Sequence, residues 1–409
     1  MQRKRKRILL LIPELGYGGA EKALLQVAGY LARHHEVKVA VFRKQYARGN
    51  YARTKQDHPF QVVEMDEEEH HHRLKRWMRR WQRLRALKAD VDVTISFLTG
   101  TNILNVLSGG SRNVVSIRGS RKYDPNIGYI GRLLYLWLID PLVCLLADDV
   151  VLISRGVGCE TGGILKPWIE RRTRVIPPMI DAARLADMVD NKMEDKSGDS
   201  CNSPVIVSAG RMSPEKGFVH LIRVFAGVRE TVPDARLVLI GDGPQLESLV
   251  SVCDAYGLGV ARSARMEGDA AVLFTGFVDD PVREFSRARV FVLSSLTEGF
   301  SNVLMEALAS GIPIVANDAP WGARTLLCEH PHDVCRPYAT RRPTRVDYGI
   351  LMPRIDKSEH EDAWVAELVA ALRNENRDEV QARRNRQRVW QFDKQIIGRQ
   401  WLCLVDESD

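Results

Sequence analysis

Over almost its whole length the chain alternates between short apolar runs and segments whose apolar residues recur at helical spacing. The runs of the first half are Arg7–Ile12, 36–42, 91–97, 113–117, 149–153 and 174–176; those of the second are 204–208, 236–240, 272–274, 290–293 and 312–316. Apolar runs without a regular polar alternation belong to strands covered on both faces, which are parallel strands joined by helices. A chain of 409 residues is too long for one ordinary core and fits two domains of about 200 residues. The polar, charged stretch 187–203 reads as a linker between a first domain, 1–186, and a second, 204–390. Residues 391–409 are expected to pack back toward the first domain. The fold class expected is α/β: two doubly wound, Rossmann-like domains facing each other across a cleft. Ligands of such sheets bind beyond the carboxyl ends of the strands.

With 45% hydrophobic and 27% charged residues, the composition excludes a disordered or collagen-like chain. The longest apolar stretch, 133–146, is broken by Asp140-Pro141, so no spanning helix is expected. The apolar run Ile8–Ile12 is too short for a signal sequence. Seven cysteines, an odd number with no CxxC pair, suggest reduced thiols and a cytoplasmic protein. Residues 1–200 hold 34 basic against 23 acidic side chains, an excess of +11, whereas 201–409 hold 25 against 29, or −4. An anionic membrane face or nucleic acid would account for that asymmetry, as would a basic surface with no partner. Arg73–Lys88 carries eight cations and no acid, with Leu74, Trp77, Met78, Trp81 and Leu84 at helical spacing. It reads as an interfacial helix on an anionic membrane surface. The alternative is a helix that packs its tryptophan stripe on its own sheet. No nucleic-acid motif accompanies it, so no nucleic-acid partner is expected. The acids 66–69 and His70–His72 read as a solvated loop rather than a metal site.

Four segments carry candidate chemistry. After the first strand, Gly16, Gly18 and Gly19 precede a helix, the geometry that aims backbone N–H groups at an anion. The dinucleotide fingerprint fails, because the position of its third glycine holds Glu21, whose charge would oppose a pyrophosphate. A dinucleotide oxidoreductase is therefore disfavoured, and a plain tight turn remains the alternative for this loop alone. In the second half, Arg211 and Lys216 lie on a loop between a strand and a helix, where they could neutralise a diphosphate. Gly241-Asp242-Gly243-Pro244 resembles a turn at a strand's end. In Thr297–Ala307, Ser301 is a good N-cap, Gly311 a plausible C-terminal stop, and Glu298 and Glu306 flank the helix start. Carboxylates accept hydrogen bonds from vicinal sugar or ribose hydroxyls.

Together GGAE, GRMSPEKG, GDGP, GFVDD and EGFSNVLMEALASGIPIV resemble the family-four retaining glycosyltransferases of GT-B fold, the glycosyl transferases group 1, of bacterial surface-polysaccharide type. The resemblance is weak over 44–110 and close over 204–327. It implies transfer of a hexose or N-acetylhexosamine from a nucleotide-diphosphate sugar, foremost a UDP-sugar, to a lipid-linked or polysaccharide acceptor. It further implies retention, no metal and no other cofactor. By it, Arg211 and Lys216 would hold the diphosphate in the loop begun by Gly210, helped by the backbone of Gly18, Gly19, Phe300, Ser301, Asn302 and Val303. Glu306 would bind ribose, Glu298 the donor sugar, and Gly276, Phe277 and Val278 the base. Where many relatives carry a histidine near the reacting sugar, this chain has Arg118, so a histidine base is in doubt. Ala319–Thr325 also departs from the family run, and the insertion 331–348 has no assigned role. The expected place is the cytoplasm, peripheral on the inner face of the plasma membrane. The alternatives are a GDP-mannose-type mannosyltransferase and a non-catalytic peripheral membrane protein. The presence of Arg211, Lys216, Glu298 and Glu306 speaks against the latter.

Overall fold

The computed structural model describes residues 5–16, 18–42, 59–66, 73–161, 163–190, 204–263, 269–329, 338–374 and 378–407. The histidine cluster 70–72, most of the expected linker and the 331–337 part of the insertion lie outside them. The chain forms two compact units: Met1–Lys122, Gly128–Met179 and Phe392–Asp409 make the first, Tyr123–Ile127 and Ile180–Gln391 the second.

The first unit is a parallel seven-stranded sheet of order β3-β2-β1-β4-β5-β6-β7. Its strands are β1 (Arg7–Ile12), β2 (Glu36–Val41), β3 (Gln61–Glu64), β4 (Val93–Phe97), β5 (Arg112–Ile117), β6 (Asp149–Leu152) and β7 (Thr173–Val175). In β1 the two-residue period sends Ile8, Leu10 and Ile12 to one face, where they meet α1 (Gly19–Leu31) and the C-terminal helix Lys394–Asp406. Leu9 and Leu11 point to the other face, into a cluster with Leu84 and Leu104. The pattern therefore reports burial on both sides, as expected for parallel strands. The edge strand β3 escaped the sequence reading because its four residues are polar at both ends and mostly half-buried.

Four helices lie in a row along that second face: α2 (Arg73–Lys88), α3 (Thr99–Ser108), α4 (Tyr129–Leu146) and the short α5 (Lys166–Ile169). α2 packs on α3, α3 on the second half of α4, and that half on α5. α2 departs from the free interfacial helix expected of it. Leu84 is fully buried, the Trp81 indole donates to the Leu107 carbonyl at 2.9 Å, and Lys88 is only 1% exposed. Arg80 pairs with Asp66, and Arg83 donates to the Met65 carbonyl at 3.3 Å. Only Leu74, Trp77 and Met78 of the apolar stripe remain exposed.

The expected break of the apolar stretch 133–146 is also corrected. α4 runs 18 residues and is long and apolar enough to cross a membrane by length and composition. Asp140-Pro141 does not break it. The buried Asp140 carboxylate lies 3.4 Å from Arg121, and Pro141 follows a wide π turn, Tyr135–Ile139, where the ordinary hydrogen-bond ladder is already interrupted. Among the described cysteines, Cys144, Cys253, Cys328 and Cys403 are free, but Cys159 is disulfide-bonded, so an all-reduced set does not hold. Spacing along the chain carries no record of such a pairing.

The second unit has eight strands in the order β10-β11-β9-β8-β12-β13-β15-β14, parallel except for the β14–β15 hairpin. They are β8 (Val205–Ala209), β9 (Arg236–Ile240), β10 (Val260–Ala261), β11 (Val272–Gly276), β12 (Val290–Leu293), β13 (Ile314–Asn317), β14 (Thr344–Val346) and β15 (Gly349–Met352). The hairpin occupies part of the unassigned insertion. The boundary expected at 186 moves to Met179, because α6 (Ala182–Asp190) packs on α8 (Val282–Arg287) and α9 (Asn302–Ser310) of the second unit. α7 (Phe218–Thr231), which falls between α6 and α8 in the chain, buries Phe218, Leu221, Ile222 and Phe225.

The Lys88 ammonium donates to the Asn105 carbonyl and side chain (3.0 Å each), Ser108 Oγ (3.1 Å) and Asn113 Oδ1 (2.5 Å). Burial nevertheless pushes its pKa down to about 8. Between pH 8 and the ordinary lysine value near 10 the unfolded chain holds a proton that the folded chain has released, so stability rises with pH in that window. Lys88→Met should flatten this rise in denaturant midpoints measured from pH 7 upward.

Candidate functional site

The site of the second unit begins with three backbone loops stacked at the carboxyl ends of β8, β9 and β11. Gly210 N–H donates to the Ile240 carbonyl, Met212 N–H to the Asp242 carbonyl and Gly241 N–H to the Gly276 carbonyl, each at 2.9 Å. The packing leaves no room for side chains. A Cβ at Gly241 would lie 2.0 Å from the Gly210 carbonyl oxygen, and one at Gly243 within 2.8 Å of the Met212 backbone. The Gly241–Pro244 turn, uninformative by itself, is thus the seat of the Arg211 loop.

That loop ends in a 3-10 turn, Pro214–Lys216, and reverses at Gly217 with φ 67°. A side chain at Gly217 would strike the Ser294 carbonyl oxygen at 2.3 Å. Ser294 Oγ donates to the Lys216 carbonyl at 2.8 Å, and Leu296 N–H donates to the Glu215 carbonyl at 2.7 Å. The loop is thereby fastened to the end of β12, and Lys216 Nζ reaches Glu298 Oε1 at 2.6 Å. Ser295 Oγ donates to the same oxygen at 2.8 Å. The carboxylate is 8% exposed, so a neighbouring cation and a hydroxyl offset the cost of burying its charge.

The Glu298 backbone is held as firmly. Its N–H donates to the Pro320 carbonyl at 2.6 Å, and its own carbonyl accepts from Trp321 N–H at 2.8 Å. The Asn317 side chain donates to the Ser295 carbonyl at 2.8 Å. The carboxylate of fully buried Asp318 accepts from Arg324 at 2.6 and 2.7 Å and from Thr340 N–H at 2.8 Å. Ser295, Asn317 and Asp318 were not singled out from sequence, and Trp321 and Arg324 only as members of the departing run Ala319–Thr325. Their one available signal was position, at or just past the ends of β12 and β13. Beside them Tyr338 donates to the Leu296 carbonyl at 2.6 Å, and burial pushes its phenol up to about 12.

α9 starts at Asn302. Ser301 occupies the N-cap position, but its hydroxyl makes no capping hydrogen bond, contrary to the role expected of it. The first-turn N–H groups of Asn302 and Val303 lack intrahelical partners by geometry and carry the positive end of the helix dipole. Around this helix start, three buried polar atoms have no hydrogen-bond partner among the described residues: Thr297 Oγ1, Ser301 Oγ and Trp321 Nε1. All three belong to the segments that hold Glu298 and begin α9. Buried polar atoms without partners are uncommon and mark a place where a polar ligand can complete the bonding. Phe300 and Glu306 are buried, and Glu306 sits one turn into α9. Gly276, at φ 70°, ends β11 and leads to exposed Phe277 and half-buried Val278.

Lys216, Glu298, Ser301 and the start of α9 are therefore neighbours in one unit, while Arg211 lies exposed on the same loop. Gly18, Gly19 and Arg118 belong to the first unit. Gly18 is the N-cap of α1. Arg118 follows β5 with its guanidinium 5.1 Å from the Phe97 ring centroid and its Nε without a partner. Burial lowers its pKa to about 9, which leaves it charged at neutral pH.

Residues 203–339 match the family model described as Glycosyl transferases group 1. Over 98% of both chains the protein is 23% identical to the GalNAc-alpha-(1->4)-GalNAc-alpha-(1->3)-diNAcBac-PP-undecaprenol alpha-1,4-N-acetyl-D-galactosaminyltransferase of Campylobacter jejuni. It is 33% identical over 194 residues to a GDP-mannose-dependent phosphatidylinositol monomannoside mannosyltransferase of Mycolicibacterium smegmatis, covering 44% of this chain and 47% of that one. Five of the curated relatives are matched over only 17% to 58% of their own length. Among solved structures, Anabaena HepE in complex with UDP and glucose superposes with a TM-score of 0.73 at 19% identity, over 97% of this chain and 98% of that one. The fold is GT-B.

Gly241→Ala should destabilise the second unit by about 2 kcal/mol or more, because the new methyl group must displace backbone rather than a flexible side chain. Denaturant unfolding of the full chain reads the shift.

Proposed function

We propose that this chain, which belongs to the glycosyl transferases group 1 of GT-B fold, moves a hexose or N-acetylhexosamine from a UDP-sugar, with retention, to a lipid-linked or polysaccharide acceptor in surface-glycan synthesis. The observation that carries the reading is the 2.6 Å Lys216–Glu298 pair next to a helix start with unsatisfied buried polar atoms. A diphosphate presents oxygens that compete with Glu298 for the Lys216 ammonium. The carboxylate is then available to donor-sugar hydroxyls, and Glu306 to ribose. As the sugar–oxygen bond breaks, negative charge grows on the leaving diphosphate. Lys216, Arg211 and the first-turn N–H groups of α9 are cations and dipoles suited to that charge, and interactions that strengthen as it grows raise turnover.

Gly210 shapes the diphosphate loop, Gly276, Phe277 and Val278 serve the base, and Gly18 and Gly19 add backbone N–H groups to the phosphates. Arg118 takes the acceptor side, where its buried guanidinium, with Nε unpartnered, suits a phosphorylated acceptor. The reaction runs without a metal, since these groups already supply the positive charge the leaving group requires. A UDP-sugar is favoured by the UDP bound in HepE, and the undecaprenyl-linked acceptor in the Campylobacter protein's name favours a lipid-linked one. The mannosyltransferase relative keeps a GDP-mannose donor as the second reading. The place of action is the cytoplasmic side of the membrane.

Lys216→Ala and Arg211→Ala should each lower turnover about a hundredfold, the equivalent of roughly 3 kcal/mol of lost charge stabilisation, with the melting temperature unchanged in Arg211→Ala and lowered in Lys216→Ala, which leaves the buried Glu298 carboxylate without its cation. Near-normal turnover of both variants would refute the assignment. Turnover should also survive EDTA. Thermal-shift measurements with UDP- and GDP-sugars separate the two donor readings, because only a bound donor raises the melting temperature.

A further inference from the structure

We infer that α4 is the element that seats this protein on an anionic lipid surface, lying flat with its apolar face among the acyl chains. One face of the helix is spoken for: Asp140, Pro141, Val143 and Cys144 are buried in their own unit. A helix anchored along its side in this way lies on a membrane rather than across it. The opposite face is a continuous apolar stripe that no described residue covers. Ile130 is 82% exposed and Trp137 61%, and Leu134, Leu138 and Leu142 are exposed between and beyond them. The wide π turn between Leu134 and Asp140 keeps Leu138 and Leu142 in line with Ile130 and Leu134. Trp168 of α5, 64% exposed, extends the stripe, and indole rings favour the boundary between acyl chains and headgroups.

Charge decides the occupant. The one acid in α4, Asp140, is buried beside Arg121, so the outward face carries no negative charge. At one end of the row, α2 exposes Lys75, Arg79 and Arg85 and contains no acid; at the other, Lys166, Arg171 and Arg172 are exposed around Trp168. Among the described residues, the exposed acids next to these elements, Asp90, Asp92, Asp148 and Glu170, are fewer than these six cations. An apolar stripe bordered by cations matches a bilayer bearing anionic headgroups. A second copy of the chain would bring like charges face to face. α2 therefore acts as the electrostatic border, and α4 as the inserting element. This inference stands apart from the donor reading, because no residue of the second unit takes part.

The test is flotation of the full-length protein with phosphatidylcholine vesicles, with and without phosphatidylglycerol. The wild type should float with the anionic vesicles and stay partly bound at high salt, because insertion of apolar side chains is not screened. The triple variant Ile130→Ser, Trp137→Ser, Leu138→Ser should bind about a hundredfold more weakly. Its melting temperature and its thermal shift with a UDP-sugar should match the wild type, so failure of docking and failure of the donor site are read separately. Ile130→Ser alone, at the most exposed position, should already weaken binding about fivefold or more without touching the core. Three results would overturn the inference: no flotation of the wild type, undiminished flotation of the triple variant, or a lipid-free wild-type dimer that the same variant makes monomeric.

Discussion

Both sheets bury both faces of their parallel strands, and most of the architecture follows from that. With β1 sending Ile8, Leu10 and Ile12 to one side and Leu9 and Leu11 to the other, neither face can be left to water. Helices must cover each side, and the connections become right-handed crossovers. The charged chemistry of the site gathers at the strand ends. In the second unit those ends meet so closely that Gly241 and Gly243 have no space for a side chain, and backbone hydrogen bonds tie one loop to the next. The loop that carries Arg211 and Lys216 is positioned by neighbouring loops that contribute no side-chain chemistry.

Rigid loops hold a buried carboxylate in a fixed place. Glu298 lies against Lys216 and Ser295, with its backbone clamped by Pro320 and Trp321. Such a pair contributes little net stability, because the desolvation of both ions offsets most of their attraction. Its value lies in arrangement: a cation and a hydrogen-bond acceptor are held a fixed distance apart at the head of α9. Preorganised charge of this kind need not be reordered when a leaving group becomes negative.

The first unit shows the opposite treatment of apolar surface. Its core is closed by α1 and by the C-terminal helix, where Trp401 stacks on Phe97 with ring centroids 6.0 Å apart. On the other face α4 leaves Ile130, Trp137 and Leu138 to solvent, although burying such side chains would ordinarily stabilise a fold. A contiguous apolar stripe on a protein surface is uncommon unless something covers it. The two units thus divide the work: one presents surface, the other holds the charged site.

Most strand positions were legible in sequence, because a strand buried on both faces leaves an unbroken apolar run wherever it falls. The glycines at strand ends, the Arg211–Lys216 loop and the Glu298–Glu306 helix start were legible for the same local reason. What local pattern could not show was partnership across distance. Lys216 and Glu298 meet 82 residues apart, and nothing along the chain says that this lysine, and not Arg211, takes the carboxylate. Lys88 reads as one more cation on a basic helix, yet oxygens of Asn105, Ser108 and Asn113 draw it inside. Asp140-Pro141 reads as a break, yet a π turn and Arg121 carry the helix through it. The sequence by itself determined where strands and loops lie, since periodicity is a property of neighbours. Only the tertiary structure decided which charges pair, which are buried and which apolar face stays uncovered, since those depend on groups that folding alone brings together.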